Sequence, residues 1–105
     1  MKIPTVAAIL LPLLAASSAN AWELTVSYAE GGSITSHGTT NSGCVNYGLD
    51  DRGRKVNRAK FKDSLLADTF ELYTQKNCKG KVSYRNGEGS HKVSPARRIQ
   101  SYKVY

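Results

Sequence analysis

The chain has 105 residues with 15 Lys and Arg against 8 Asp and Glu, which gives a formal net charge of +7 at pH 7. This length leaves room for one domain and excludes a multidomain architecture. The charge favours an acidic partner, such as an anionic membrane surface, a cell-wall polymer, nucleic acid or a protein groove, although it can also simply keep a small exported protein soluble.

Residues 1–21 predict a cleavable signal peptide. Lys2 precedes an apolar run, and Ala19 and Ala21 have the spacing of a signal peptidase site. The run is too short, and too interrupted by proline, to span a bilayer of about 30 Å. No later segment is apolar for long enough to form a transmembrane anchor. We therefore expect a secreted, extracellular protein whose single domain occupies residues 22–105.

Cys44 and Cys78 are the only cysteines of the chain. Because export favours oxidation, one intramolecular disulfide is the simplest expectation. Such a bridge closes a loop of roughly 35 residues and stabilises the domain by roughly 4 kcal/mol. Two free thiols or an intermolecular bridge are the alternatives.

The first half of the domain predicts short strands separated by turns. Apolar and polar residues alternate strictly over 22–28, which is typical of a half-buried strand, and Gly31-Gly32 ends the pattern. Residues 34–43 favour a short strand and turns, and 44–47 a second short strand. Asp and Gly at 50–53 indicate a turn.

The second half predicts three further strands, at 70–74, 82–85 and 99–105. A hairpin turn is expected at 73–80. Gly and Asn at 86–89 supply turn residues between the last two strands. No long helix is predicted anywhere in the domain.

A strongly basic segment lies between the two halves. Six basic residues and no acidic one occur from Arg52 to Lys62, and the following segment, 63–68, predicts either one helical turn or a crossing between halves. The candidate binding surface combines most of this segment with two later arginines. Its residues are Arg52, Arg54, Lys55, Arg58, Lys60, Arg97 and Arg98.

The two halves share an order of features, and their endings, 57–62 and 98–103, stand about 40 residues apart. This predicts two degenerate repeats of one four-strand unit that pack face to face, since one unit cannot bury its apolar side alone. If a pseudo-twofold axis relates the halves, residues 52–62 and 97–98 should be neighbours.

The second half resembles a Greek-key motif of the βγ-crystallin superfamily. Tyr73 begins the folded hairpin, Cys78 occupies a position where the family commonly has an aromatic residue, and Gly80 and Ser90 suit the later positions. The glycine allows a backbone shape that a side chain would obstruct. The resemblance implies an all-β fold, a small Greek-key β-sandwich of two packed sheets. A different small β-sandwich or barrel is the alternative.

The first half matches this motif less well, because Thr35 stands where the glycine would lie if Tyr28 took the place of the hairpin tyrosine. Many microbial members of the superfamily bind calcium through adjacent Asn or Asp residues. The corresponding stretches here, 55–60 and 96–101, lack acidic ligands and carry cations. The sequence therefore predicts no metal site and no cofactor.

Catalytic chemistry is sparse. His37 and His91 are the only histidines and lie in polar surroundings that favour solvated loops, without metal-ligand spacing. Asp50 and Asp51 are adjacent in a predicted turn, which does not suit a glycosidase pair. We therefore expect a protein that is not an enzyme.

The aromatic residues are expected mostly in the core, and no RNA-binding or zinc-finger signature accompanies them, so nucleic acid is an unlikely partner.

The resemblance extends to small secreted proteins of filamentous fungi and to a superfamily that contains microbial killer toxins. It implies a monomeric, secreted, antimicrobial or killer-toxin-like binding protein or a host-directed effector. An inhibitor of a secreted hydrolase, since the superfamily includes a metalloproteinase inhibitor, and a structural cell-wall protein are the alternatives.

Overall fold

The computed structural model describes residues 21–48 and 53–105, and this part of the chain contains eight strands and no α-helix. The strands are β1 (Trp22–Tyr28), β2 (Ser33–Gly38), β3 (Gly43–Asn46), β4 (Val56–Lys62), β5 (Phe70–Tyr73), β6 (Tyr84–Asn86), β7 (Gly89–Arg97) and β8 (Ser101–Val104). Apart from Ala21, the predicted signal peptide lies outside the described residues. None of the helical segments in 21–48 and 53–105 has the length and apolar character needed to cross a membrane.

The strands form two antiparallel four-stranded sheets. Sheet A has the order β2-β1-β4-β7 and sheet B the order β3-β8-β5-β6. The predicted all-β fold of two packed sheets is therefore confirmed. The first half of the domain contains β1 to β4 and the second half β5 to β8. Strand β3 lies in sheet B and strand β7 lies in sheet A, so each half gives its third strand to the sheet of the other half. Exchanging the two halves therefore reproduces the same two strand orders. This order is compatible with the predicted Greek-key arrangement and with two related halves.

The core lies between the two sheets. Buried apolar residues alternate with exposed or half-buried polar residues along β1, so one face of this strand is directed into the core. In this strand Leu24 and Val26 are fully buried, and they lie opposite Phe61 and Ala59 of β4. Sheet B contributes Phe70, whose ring lies 5.2 Å from that of Phe61. Burying each such side chain stabilises the fold by roughly 1.5–3 kcal/mol, so this interior is the main source of stability.

The longest strand, β7, was not predicted from the sequence, which indicated only turn residues before 99–105. It lies at the edge of sheet A, and only Val93 is fully buried among its nine residues. Pro95 interrupts its pattern, which an edge strand tolerates because one side of its backbone needs no partner. The alternative of a helical turn at 63–68 was also wrong, since this segment forms an irregular crossing.

The predicted disulfide is confirmed. Cys44 of β3 and Cys78, at the end of a short 3-10 turn (Lys76–Cys78), are joined with an S–S distance of 2.05 Å. The bridge ties an edge strand of sheet B, which comes from the first half, to the hairpin of the second half. A disulfide in so small a domain fits an extracellular protein.

Candidate anion-binding face

Three basic side chains of β4 project from the outer face of sheet A. Val56, Ala59 and Phe61 of this strand are buried against sheet B, and a bulge near residue 57 sets the alternation of the residues that follow. Arg58, Lys60 and Lys62 are therefore exposed on the opposite side. The last three basic residues of the segment thus form a row of cations along one strand.

The neighbouring edge strand adds a fourth cation. Lys92 of β7 is the direct cross-strand partner of Arg58, and directly opposite residues of an antiparallel pair share one face of the sheet. We call Arg58, Lys60, Lys62 and Lys92 the basic face. Lys92 was not among the residues proposed from the sequence, because β7 itself was not predicted.

Hydroxyl groups surround the basic face. Thr25 and Ser27 of β1 lie opposite Lys60 and Arg58, and Ser90 of β7 lies opposite Lys60 on the other side. The Arg58 guanidinium donates a hydrogen bond of 3.0 Å to the Ser90 hydroxyl oxygen. On the other side of β1, the Thr25 hydroxyl is 2.8 Å from the hydroxyl of its β2 partner, Thr35. The face therefore offers cations and neutral hydrogen-bonding groups side by side.

No residue of the basic face forms an ion pair with another residue that the structure describes. The positive charge is weakest at Lys62, which lies opposite Glu23 and near Glu88. The pKa of Glu88 is lowered, mainly by a hydrogen bond from the backbone N–H of Asp63 and to a lesser degree by Lys62. The positive potential is thus concentrated around Arg58, Lys60 and Lys92.

Four further residues proposed from the sequence, Arg54, Lys55, Arg97 and Arg98, lie at one end of sheet A. Val56 and Arg97 are direct cross-strand partners, so residues 54–55 and 97–98 are neighbours. The Arg54 guanidinium lies over the Tyr28 ring at 4.4 Å from its centroid. Arg97 is half-buried and donates to the carbonyl oxygen of Ser83 at 2.9 Å, which gives it a structural role.

Arg98 and Lys55 are exposed at the same end, and Arg52 lies outside the described residues. The seven candidate residues therefore do not form one cluster. Arg58 and Lys60 belong to the flat outer face of sheet A, whereas the remaining described members surround its end.

The residues of the predicted hairpin motif lie on the outer side of sheet B, with the exception of Ser90. The backbone N–H of Cys78 donates to the Ser101 hydroxyl oxygen at 3.0 Å, and this hydroxyl donates to the Gln75 carbonyl oxygen at 2.5 Å. Gly80 has φ +79°, where a side chain would be strained. Ser101, which is buried, thus holds the hairpin against sheet B.

A second clamp joins the hairpin to β3. The Asn46 side-chain amide donates to the Asn77 side-chain oxygen at 3.0 Å, and the Asn77 backbone N–H donates to the Asn46 side-chain oxygen at 2.7 Å. Asn77 and Cys78 have φ values of 61° and 52°. The disulfide and this amide pair together fix the hairpin against the edge of sheet B.

Tyr73, the first residue of the motif, belongs to a network around Glu71. The Glu71 carboxylate accepts hydrogen bonds from the hydroxyls of Tyr73 at 2.5 Å and Tyr105 at 2.6 Å, and from Arg85 at 3.3 Å. Burial raises the pKa of Glu71, but these three hydrogen bonds outweigh it and hold the pKa below its usual value. The network satisfies a nearly buried carboxylate and stabilises sheet B.

The two histidines lie on strands rather than in the solvated loops proposed from the sequence. His37 is exposed on β2, and His91 of β7 is half-buried, with its ring 5.9 Å from Phe70. Nε2 of His91 is 2.8 Å from the Gly87 carbonyl oxygen. Within residues 21–48 and 53–105, no group of three or more His, Cys, Asp or Glu side chains is arranged to hold a metal ion.

Comparison with known proteins returns no matching family model, no matching curated protein and no matching solved structure.

Proposed function

We propose that this chain is a secreted binding protein that attaches to an anionic surface of another organism and acts there as an antimicrobial protein or a host-directed effector. The observation that carries the proposal is the basic face: Arg58, Lys60 and Lys92 are adjacent on a rigid sheet and lack acidic partners among the described residues. The twofold strand order supports, in addition, a βγ-crystallin-like relation between the two halves.

A flat row of exposed cations is suited to binding an extended anionic ligand. Each exposed charge pair contributes little, about 0–1 kcal/mol, because water screens it. Several such pairs made simultaneously add up, because the strands hold the backbone positions of these cations in a fixed row. The binding should weaken at high salt, where the screening length shortens.

The test compares two variants of equal net charge. The face variant is Arg58→Thr/Lys60→Thr/Lys92→Thr, and the hairpin variant, Lys76→Thr/Lys79→Thr/Lys81→Thr, removes three exposed cations on and beside the hairpin. The oxidised protein, produced from the full-length chain, is titrated against anionic lipid vesicles, acidic and neutral cell-wall polysaccharides and DNA at physiological ionic strength.

We expect the face variant to lose most of the binding and the hairpin variant to retain it. Circular dichroism should show the same fold for both variants. Equal binding by the two variants would mean that the charge acts generically, and the proposal would be wrong. The antimicrobial or effector activity is measured with the same pair in a growth or cell-viability assay, where only the face variant should be inactive.

One observation favours the second candidate function, inhibition of a secreted hydrolase. In the crossing between β4 and β5, Leu65 and Leu66 are 85% and 69% exposed. The loop is closed by a 2.9 Å hydrogen bond from the Ser64 N–H to the Ala67 carbonyl oxygen. A rigid loop that presents two leucines could occupy an apolar pocket of an enzyme. An inhibitor should slow at least one protease of a panel, and Leu65→Ser/Leu66→Ser should abolish that effect.

A further inference from the structure

We infer that the ligand of the basic face is a linear acidic polysaccharide that lies along β4. The inference rests on the proposed function and names the class of its ligand. Four features of sheet A carry it: the spacing of the cations, the bonding of the strand backbone, the surrounding hydroxyls and the absence of Phe, Tyr and Trp side chains from the described face.

The spacing of the cations suits a repeating polymer. Alternate residues of a strand are about 6.7 Å apart, so the row from Arg58 to Lys62 extends over about 13 Å, with Lys92 beside its first member. A polymer with a charged group on each repeating unit can contact several of these cations at once. A single small anion would contact only one or two exposed side chains and bind weakly.

The backbone provides no separate anion pocket on this face. Strand β4 lies inside sheet A and pairs with β1 on one side and with β7 on the other. Its N–H groups are therefore used in the ladders and are not directed at the solvent. Recognition depends on the side chains, which is the arrangement expected for a long ligand that covers a flat surface.

The hydroxyls indicate a ligand that is itself rich in hydroxyl groups. Thr25 and Ser90 are the two cross-strand neighbours of Lys60, and Ser27 and Lys92 are those of Arg58. Each hydroxyl can donate one hydrogen bond and accept others, which matches the alternating donors and acceptors of a sugar. An acidic polysaccharide can use the cations and the hydroxyls together.

Single-stranded nucleic acid is a weaker match, because its general binders stack bases on exposed aromatic side chains. The outward residues of β1, β2, β4 and β7 include no Phe, Tyr or Trp. The aromatic residues of these strands, Trp22, Tyr28 and Phe61, are buried in the core. The described outer face of sheet A therefore offers no Phe, Tyr or Trp ring on which bases or neutral sugars could stack.

An anionic membrane is also a weaker match. The large apolar side chains that could insert are Leu65 and Leu66, at the end of β4. The carboxylates of Asp63, Asp68 and Glu88 belong to or contact the same loop, so inserting the two leucines into a membrane would bring these carboxylates against the anionic headgroups.

The experiment uses the oxidised protein from the full-length chain and measures its affinity for four probes at physiological ionic strength. These are polygalacturonate, neutral dextran, DNA in single- and double-stranded form, and vesicles of phosphatidylserine and phosphatidylcholine. We expect affinity for polygalacturonate at least tenfold above that for the other probes. The face variant should lose this affinity by more than tenfold, and the hairpin variant should change it less than twofold.

A third variant separates sugar recognition from charge. Thr25→Val/Ser27→Ala removes the two β1 hydroxyls opposite Lys60 and Arg58, leaves the Arg58–Ser90 hydrogen bond in place and keeps every cation. Loss of about two hydrogen bonds should weaken polygalacturonate binding roughly tenfold. Any residual binding of DNA should change less than twofold, because phosphate contacts depend on the cations.

The outcomes distinguish this inference from the proposed function. If the basic face binds DNA or vesicles more tightly than polygalacturonate, or if the hydroxyl variant binds polygalacturonate normally, the polysaccharide inference is overturned and the binding function stands. If no anionic probe binds at physiological ionic strength, or if the face and hairpin variants lose affinity equally, both are overturned.

Discussion

Replacing Glu71 with glutamine should destabilise the domain at neutral pH and have little effect at acidic pH. Its carboxylate is 8% exposed and accepts hydrogen bonds from Tyr73, Tyr105 and Arg85. A hydrogen bond to a charged group contributes about 1.5–3 kcal/mol. Glutamine keeps one acceptor oxygen, so part of the hydrogen bonding survives the substitution. The Arg85 side chain is 60% exposed, so the Arg85–Glu71 ion pair adds little to the loss. We therefore expect a loss of about 1–3 kcal/mol.

The pH dependence follows from the lowered pKa of Glu71. The free energy that the carboxylate contributes is complete above the pKa of the unfolded chain, about 4.3, and it is lost as the pH falls through the lower folded pKa. The difference in stability between wild type and Glu71→Gln should therefore be present at neutral pH and close in strong acid.

Urea unfolding measures this difference, with the fluorescence of Trp22, the single tryptophan of the chain, as the signal. Glu23→Gln is the matched control, because Glu23 is exposed and should change stability by less than about 0.5 kcal/mol. If Glu71→Gln is as stable as wild type at neutral pH, or if the gap is the same in acid, the network does not stabilise the fold as described.

Three further predictions concern other parts of the fold. Cys44→Ala/Cys78→Ala, which opens a loop with a sequence separation of 34, should cost about 4 kcal/mol in urea unfolding, and an unchanged midpoint would contradict this. The hydrogen bond to the Glu71 carboxylate raises the pKa of Tyr73 to about 12. The stability that this hydrogen bond contributes is therefore complete below about pH 10 and is lost as the pH rises through 12. An alkaline titration that shows no loss of stability over this range would contradict this prediction. Gly38→Ala places a Cβ 2.9 Å from the Trp22 ring and should lower the free energy of unfolding by about 1–3 kcal/mol, which a lower thermal midpoint would report; an unchanged midpoint would show that the ring moves freely.

The sequence predicts the parts of this fold whose pattern is local. The alternation of 22–28 identifies β1 because one face of the strand is buried and the other is solvated. The Cys44–Cys78 bridge follows from there being only two cysteines. Strand β7 is hidden because an edge strand buries few residues and tolerates Pro95. Lys92 is hidden with it.

The candidate site is harder to predict because it depends on pairing between distant strands. Arg58 and Lys60 are recognisable as a basic run, but only the register of β4 with β1 and β7 shows which hydroxyls surround them. The same holds for Ser101, whose contact with the hairpin is created by the β5–β8 pairing.

Lysine footprinting tests the basic face most directly. The oxidised protein is acetylated under limiting reagent with and without polygalacturonate, and the modification of each lysine is quantified by mass spectrometry. We predict that polygalacturonate protects Lys60, Lys62 and Lys92, and leaves Lys76 and Lys79 of the hairpin as reactive as in the free protein. Protection of the hairpin lysines instead, uniform protection of all five, or no protection at all would contradict the assignment of the binding site to sheet A.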